Sequence, residues 1–237
     1  MNTQQRCGDF SLACVSCRQK FEKWQRTLEA IREPVAVMAQ DHAVFSGLVE
    51  LMDAARIWDL DRTFYVWVGH AYQEALTLRV RRLLDRDPKT HSLRLVLEDI
   101  ARNSEVISRE RFRTLYPGTD GMQMVAEKKF DELAGLGSQH YCDADAANDL
   151  QALLALADRV IQVADKSFAH FDKTPPSHLP TWAEAAESIE LLFDISRKYI
   201  ALICGEGSDK HPSPLPGGWT HVFPMLGRLV DEQRKSK

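Results

Sequence analysis

The chain has 237 residues, of which 44% are hydrophobic, enough to fill the core of one large domain. A formal net charge of −4 excludes an overall electrostatic attraction to nucleic acid and leaves only local basic clusters for that purpose. The five cysteines are an odd number, unlike the disulfide framework of a secreted scaffold, and they favour a reducing compartment.

Neither a signal peptide nor a membrane helix is predicted. The N-terminus lacks a basic stretch followed by an apolar run, and no window approaches the roughly 18 apolar residues of a membrane span. Glycines are few, and no Asn-Gly or similar two-residue turn joins alternating apolar runs. We therefore expect a cytoplasmic, all-α protein with no membrane partner, folded as one helical domain over residues 1–237.

Apolar residues recur at three-to-four spacing in the first quarter of the chain, which is typical of amphipathic helices. Pro34 lies within this pattern and is expected to break it, so the sequence predicts two N-terminal helices over residues 18–58. Asp59 or Asp61 is placed to cap the next helix, which ends before Asp87-Pro88. We expect this helix to be a buried central one, with its apolar residues at Phe64, Trp67, Val68, Ala71, Ala75, Leu78 and Leu83.

The rest of the chain is also predicted to be helical. Ser92 and Ser108 each begin a short helix, and a Pro-Gly turn at 117–121 precedes another at about 122–134. Asp143 or Asp145 opens a long helix that ends at Pro175-Pro176. A capping box at 181–184 starts a helix that runs to Cys204. A loop and a short amphipathic helix follow over 205–234.

Two stretches resemble a known family. The segment 159–172, RVIQVADKSFAHFD, is followed by a proline break, a capped helix and the closing KYIALICGEG. Upstream, residues 73–100 read QEALTLRVRRLLDRDPKTHSLRLVLEDI, a long helix that ends in an Asp-Pro turn. Together they resemble the HEPN superfamily, in its abortive-infection, AbiU-type branch of phage-defence proteins. The resemblance places a HEPN-like core at about residues 60–207.

This resemblance implies an up-and-down helical bundle with additional N-terminal and short peripheral helices. It also implies a homodimer in which an arginine and a histidine of each subunit line a shared cleft, and catalytic members cleave RNA there without a metal. The motif histidine falls on His170, but the motif arginine falls on Ala164, followed by Asp165. Since a methyl group cannot hold a phosphate, the family's dyad is incomplete here.

Helical geometry groups basic side chains on one side of the same helix. Lys166 lies one turn before His170, and Arg159 lies about 20° from His170 around the axis. His170 is therefore a candidate general acid or base, Lys166 is a candidate phosphate contact, and Arg159 and Asp172 are further candidates for RNA binding. Alternatively, His170 only caps the last carbonyls of its helix or pairs with Asp172.

Other motifs have weaker functional interpretations. Cys14 and Cys17 have half the spacing of a zinc site that His140 and Cys142 could complete, but a lone CxxC near a terminus is more often incidental, and no metal or cofactor is predicted. A solvated helix face is favoured over a phosphate-binding surface for the arginines at 79, 81, 82, 86, 109, 111 and 113. The aromatics Phe64, Tyr65, Trp67 and Tyr72 suit a buried helix better than a base-stacking platform, and His70 is expected in the core or an interface.

Two functions remain open at this point. The first is an RNA-directed protein of the abortive-infection type, possessing metal-independent endoribonuclease activity with His170 and Lys166 as the catalytic residues. The second is a catalytically inactive HEPN bundle that binds RNA, a nucleotide or a protein and dimerises. In either case the expected partners are a second copy of the chain, RNA, and an antitoxin or other defence protein.

Overall fold

The computed structural model describes residues 14–54, 62–163 and 182–205. In these ranges the chain forms seven α-helices and no strand, which confirms the all-α prediction. The helices are α1 (Val15–Ala54), α2 (Arg62–Leu83), α3 (Leu93–Ile100), α4 (Arg109–Thr114), α5 (Asp120–Ala134), α6 (Asp143–Val163) and α7 (Trp182–Cys204). Each of the described helices is too short or too polar to cross a lipid bilayer.

The N-terminal region forms one continuous helix, so the prediction of two helices separated at Pro34 is wrong. The reason is a buried stripe that keeps its spacing of four and three residues through the proline: Cys17, Phe21, Trp24, Leu28, Ile31, Val35 and Met38. An internal proline costs about 3 kcal/mol, whereas each large apolar side chain that is fully buried contributes about 1.5–3 kcal/mol. Val35 and Met38, both beyond the proline, together offset that cost.

α2 is not the central helix of the described structure, because the most extensive helix contact lies between α1 and α7. α7 packs along α1 and also contacts α6 and α5. Its buried residues include Leu192, Tyr199, Leu202 and Ile203, none of which is exposed to solvent. The predicted end of this helix at Cys204 is confirmed, and Gly205 follows it at a φ of 73°. A Cβ at Gly205 would lie 2.7 Å from that of Leu115, so glycine permits this close approach.

The short helices begin where the serine caps predicted. Ser92 precedes α3, and its hydroxyl oxygen accepts from the Leu95 N–H. Ser108 precedes α4, and its hydroxyl oxygen accepts from the Arg111 N–H at 3.2 Å. The predicted turn before α5 and the predicted start of α6 at Asp143 are also confirmed. The predicted caps at Asp59 or Asp61 and at Thr181 lie outside the described residues. So does the part of the predicted loop and short helix over 205–234 that follows Gly205.

Two of the arginines assigned to a solvated face are not solvated, because Arg109 is half-buried among ion pairs and Arg111 is buried, so that interpretation is wrong for them. The side chain of Arg109 is 12% exposed and donates to Glu127 at 2.5 Å, to Asp131, and to the carbonyl of Ser138 at 2.8 Å. These contacts hold α4 against α5. The guanidinium of Arg111 is buried over the ring of Phe21, 5.3 Å from its centroid. Their low exposure removes both from any phosphate-binding surface.

Candidate functional site

The predicted catalytic segment follows α6. His170, Lys166 and Asp172, together with Ala164 at the position of the motif arginine, lie outside the described residues. Arg159 lies on α6, but its side chain is not among those described. The grouping of these side chains therefore remains a prediction, and the described residues show how α6 is held.

A partly buried polar network joins α6 to α7. A carboxylate oxygen of Asp149, on α6, accepts from the ammonium of Lys198 at 2.8 Å and from the hydroxyl of Tyr199 at 2.9 Å. The hydroxyls of Tyr199 and Tyr141 lie 3.2 Å apart. Since the ion pair and the hydrogen bonds share one carboxylate, this network determines how the first half of α6 packs on α7.

The protonation states in this network follow from its burial. Burial raises the pKa of Tyr199 far above its ordinary value, and the nearby Tyr141 and the Asp149 carboxylate act in the same direction. The pKa of Tyr141 is also raised by burial. Burial acts to lower the pKa of Lys198, but the hydrogen bonds to Asp149 and Tyr141 outweigh it, so the pKa is raised. Both tyrosines stay protonated at neutral pH, and the network holds structure rather than providing a base.

A second polar cluster links α1 to α2 and was not predicted from the sequence. The Nδ1 atom of His42 lies 2.6 Å from the hydroxyl of Tyr72, whose ring stacks on Phe45. Asp41 and Arg79 form an ion pair beside it. The only sequence signal is spacing: Arg79 follows Tyr72 by seven residues, which places both on one face of α2.

His42 in this cluster is chemically restrained. Burial lowers its pKa, and the nearby Glu190 offsets part of that effect. The hydrogen bond between Nδ1 and the Tyr72 hydroxyl is short, and its direction depends on the imidazole tautomer. Nε2 faces the hydroxyl of Ser46 at 3.5 Å, a distance too long for a strong hydrogen bond. Since its Nδ1 atom is occupied by the Tyr72 hydroxyl, we interpret His42 as a link between helices rather than a catalytic base.

A groove of about 430 Å³ lies between α1 and α2 beside Pro34. Ile31, Val37 and Leu83 form part of its apolar lining. Its polar rim consists of Glu33, Arg79, Arg82 and His91. Arg79 is paired with Asp41, and the negative charge of Glu33 balances the positive charge of Arg82. The rim therefore has little net positive charge.

The outer face of α2 carries an apolar stripe, defined here as the α2 seam: Phe64, Trp67, Ala71, Ala75 and Leu78. Phe64, Trp67 and Leu78 are 53%, 66% and 41% exposed, and both alanines are also exposed. The prediction that this helix is buried on all sides is therefore wrong. Its core face consists of other residues, among them Leu76, Val80 and Leu83.

Polar side chains flank the α2 seam. His70 is exposed on α2, so its predicted place in the core is wrong, whereas a place in an interface stays open. Glu74 lies one turn further along the same flank and is also exposed. The aromatic pair at the start of the seam is close, with 6.2 Å between the ring centroids of Phe64 and Trp67. This arrangement resembles the apolar centre and polar rim of a protein interface.

The CxxC motif does not contribute to a metal centre in the described part of the chain, where no group of three potential ligands is found. Cys17 is buried in the core stripe of α1. The Sγ atom of Cys14 accepts from the Cys17 N–H at 3.4 Å, at the first turn of α1. His140 instead contacts the carbonyl of Glu105 through Nδ1 at 2.9 Å.

Comparison with protein families provides the identification. The family model described as AbiU2, of the HEPN group, matches residues 21–212, well over half of the chain. The chain belongs to the AbiU2 family of HEPN proteins. This confirms the resemblance found in the sequence, and the AbiU2 match begins within α1, upstream of the stretches that carried it. No curated protein and no solved structure matches the chain.

Proposed function

We propose that this AbiU2-family protein acts in abortive infection as a homodimer that cleaves RNA without a metal ion. The observation that carries the proposal is the family match over residues 21–212. Abortive infection is the coarse function that the family name supports, and RNA as the substrate follows from the HEPN resemblance. An antitoxin or another defence protein is the expected regulatory partner.

In this proposal His170 exchanges a proton with the RNA 2′-hydroxyl, and Lys166 contacts the scissile phosphate. Arg159 and Asp172 extend the RNA-binding surface along the same side of the helix. Metal-free cleavage by an internal hydroxyl requires a base and a cation near the phosphate, and helical spacing brings an imidazole and an ammonium within one turn. Asp149, Lys198 and Tyr199 are positioning residues in this proposal, because they hold α6, which precedes the predicted catalytic segment, on α7.

A specific observation favours a second function, a catalytically inactive bundle that binds RNA, a nucleotide or a protein. Ala164 occupies the place of the motif arginine, and its methyl group cannot stabilise negative charge on a phosphate. If Lys166 does not replace that arginine, binding persists without cleavage. The two functions therefore differ in one measurable step.

The test is RNA cleavage in the presence of a chelator by the wild type and by the His170→Ala and Lys166→Ala variants. Lys128→Ala is the matched control, because Lys128 is an exposed lysine on α5. We expect cleavage by the wild type and the control, and a loss of at least about tenfold in both other variants, as for removal of a positioned acid, base or phosphate contact.

A restoring variant separates the two functions. Ala164→Arg returns the guanidinium of the family motif. If the wild type binds RNA but does not cleave it, and Ala164→Arg does cleave it, the inactive bundle is correct for the natural sequence. If neither protein binds nor cleaves RNA at low salt, the proposal of an RNA-directed function is wrong.

A further inference from the structure

The α2 seam has no partner among the described residues, although it has the composition of a contact surface. Its five apolar residues follow one another at spacings of three and four, the period at which a helix packs on another helix. Soluble monomers rarely leave such a contiguous apolar stripe in water. Trp67, at 66% exposed, is the type of residue that most often contributes strongly to binding at interfaces.

We propose that the α2 seam packs against the α2 seam of a second copy of this chain, with the two helices antiparallel about a two-fold axis near Ala71. The inference deepens the proposed function, since it assigns a surface to the homodimer proposed there. The surface itself is inferred from the exposed side chains of α2.

The distribution of side-chain size along the seam fits an antiparallel pair. With Ala71 on the axis, Phe64 lies opposite Leu78 of the partner subunit, and Trp67 lies opposite the partner's Ala75. The two large aromatic groups at one end of each seam thus meet the smaller residues of the other. In a parallel pair the aromatic groups would face each other and the alanines would face a gap. Only the antiparallel arrangement fills the contact evenly.

The small residues and the flanking charges agree with this arrangement. Ala71 at the axis allows the two backbones to approach closely. His70 and Glu74 share one flank of the seam, and the two-fold axis brings Glu74 near the partner's His70. α2 also carries Arg79, Arg81 and Arg82 against one acidic residue, Glu74, so its charge also suits an anionic lipid surface, and vesicle binding is one of the outcomes tested below.

The first experiment measures molar mass in solution by light scattering. We expect the wild type at twice 26.9 kDa, and Trp67→Glu and Ala71→Glu at 26.9 kDa, with circular dichroism showing that both variants remain helical. Met124→Glu is the matched control, because Met124 is an apolar residue on α5 that is 73% exposed and off the seam. The control is expected to keep the mass of the wild type.

The second experiment tests the direction of the helices by cysteine cross-linking in a background with Cys7→Ser and Cys142→Ser. In the Ala71→Cys variant, the introduced cysteines of the two subunits are expected to form a disulfide across the two-fold axis. We expect a Phe64→Cys chain and a differently tagged Leu78→Cys chain to form a disulfide-linked heterodimer when they are mixed. Each variant alone is expected to form much less disulfide-linked dimer. Efficient cross-linking of Phe64→Cys to itself would overturn the antiparallel arrangement.

The outcomes distinguish this inference from the proposed function. A wild type that is dimeric, with variants of the seam that remain dimeric, overturns the seam as the interface but leaves the homodimer. A wild type that stays monomeric at high concentration overturns both the seam and the homodimer, and leaves RNA cleavage to its own assay. Binding of anionic vesicles that is lost in Trp67→Glu, with no self-association, would assign the seam to lipid and overturn the inference.

Discussion

At the scale of single residues, the contacts of buried tyrosines determine what their hydroxyls contribute. The hydroxyl of Tyr199 donates to Asp149 and contacts that of Tyr141, whereas the hydroxyl of Tyr116 is buried with no hydrogen-bond partner in the described structure. A buried donor that is satisfied adds stability, and one that is not satisfied lowers it. The two residues therefore form a natural pair for comparison.

We expect Tyr199→Phe to lower the free energy of unfolding by about 1–2 kcal/mol, because it removes hydrogen bonds from Asp149 and Tyr141. Tyr116→Phe is the control and is expected to leave stability unchanged or slightly raised. Urea denaturation followed by circular dichroism measures both. Equal losses in the two variants would contradict the role assigned to the network.

The protonation of His42 provides a prediction on pH. Its folded-state pKa lies below the ordinary value of 6.5, so below pH 6.5 the unfolded chain binds a proton that the folded chain does not. The contribution of His42 to stability is therefore full above that pH and falls as the pH decreases toward the folded-state pKa. We expect His42→Gln to lose this part of the pH dependence, measured as unfolding free energy between pH 7.5 and 5. An identical pH profile in the variant would show that His42 titrates alike in both states.

At the scale of helices, α1 demonstrates that a proline in an amphipathic stripe need not end a helix. Pro34 predicts a break in the helix, but the buried stripe of α1 continues on both sides of the proline. The periodicity was the stronger signal, because several buried side chains act against a single missing hydrogen bond.

Pro34→Ala is expected to raise the free energy of unfolding by about 1–2 kcal/mol. Alanine restores a backbone N–H that can donate to the Ala30 carbonyl, and its higher helix propensity stabilises the folded state by up to about 3 kcal/mol. The unfolded chain also gains conformational freedom when proline is removed, which offsets about 1 kcal/mol of that stabilisation. Thermal and urea denaturation measure the change, with Val37→Ala as a control on the same helix. A destabilised Pro34→Ala variant would indicate that the packing of α1 requires the proline.

The second helix illustrates a different limit of sequence reasoning. Its aromatic residues occupy several faces, a pattern that predicts a helix buried on all sides. The structure assigns one face, with Leu76 and Val80, to the core and leaves the α2 seam in solvent. Periodicity identifies a face that will be covered, but it does not identify the chain that covers it.

At the scale of the whole molecule, self-association couples folding to concentration. If the α2 seam forms the dimer, the melting temperature of the wild type should rise with protein concentration, because the dimer binds only folded chains. Trp67→Glu should melt at a temperature independent of concentration. Differential scanning calorimetry over a hundredfold range of concentration measures both, and a flat dependence in the wild type would argue against a dimer that contributes to stability.

The sequence identifies most residues of the candidate site, but it does not predict the tertiary contacts that position them. A segment reading KSFAHFD indicates an imidazole one turn past an ammonium, because helical geometry is local. The polar contacts that hold its helix could not be predicted, since Asp149 and Tyr199 are 50 residues apart in the chain. The same holds for Tyr72 and His42, whose contact depends on how α1 and α2 pack.

By itself, the sequence determined the helical class, the family, the serine caps of α3 and α4, and the end of α7 at Cys204. These features depend on residues within a few turns of one another, so local spacing and capping chemistry suffice to predict them. Only the tertiary structure decided that α1 continues through Pro34, that α1 and α7 share the most extensive helix contact, that Arg109 is held by ion pairs while Arg111 is buried, and that the α2 seam faces outward. Each of these depends on which distant surfaces meet, and apolar burial is not directional, so the pattern of one segment cannot specify its partner.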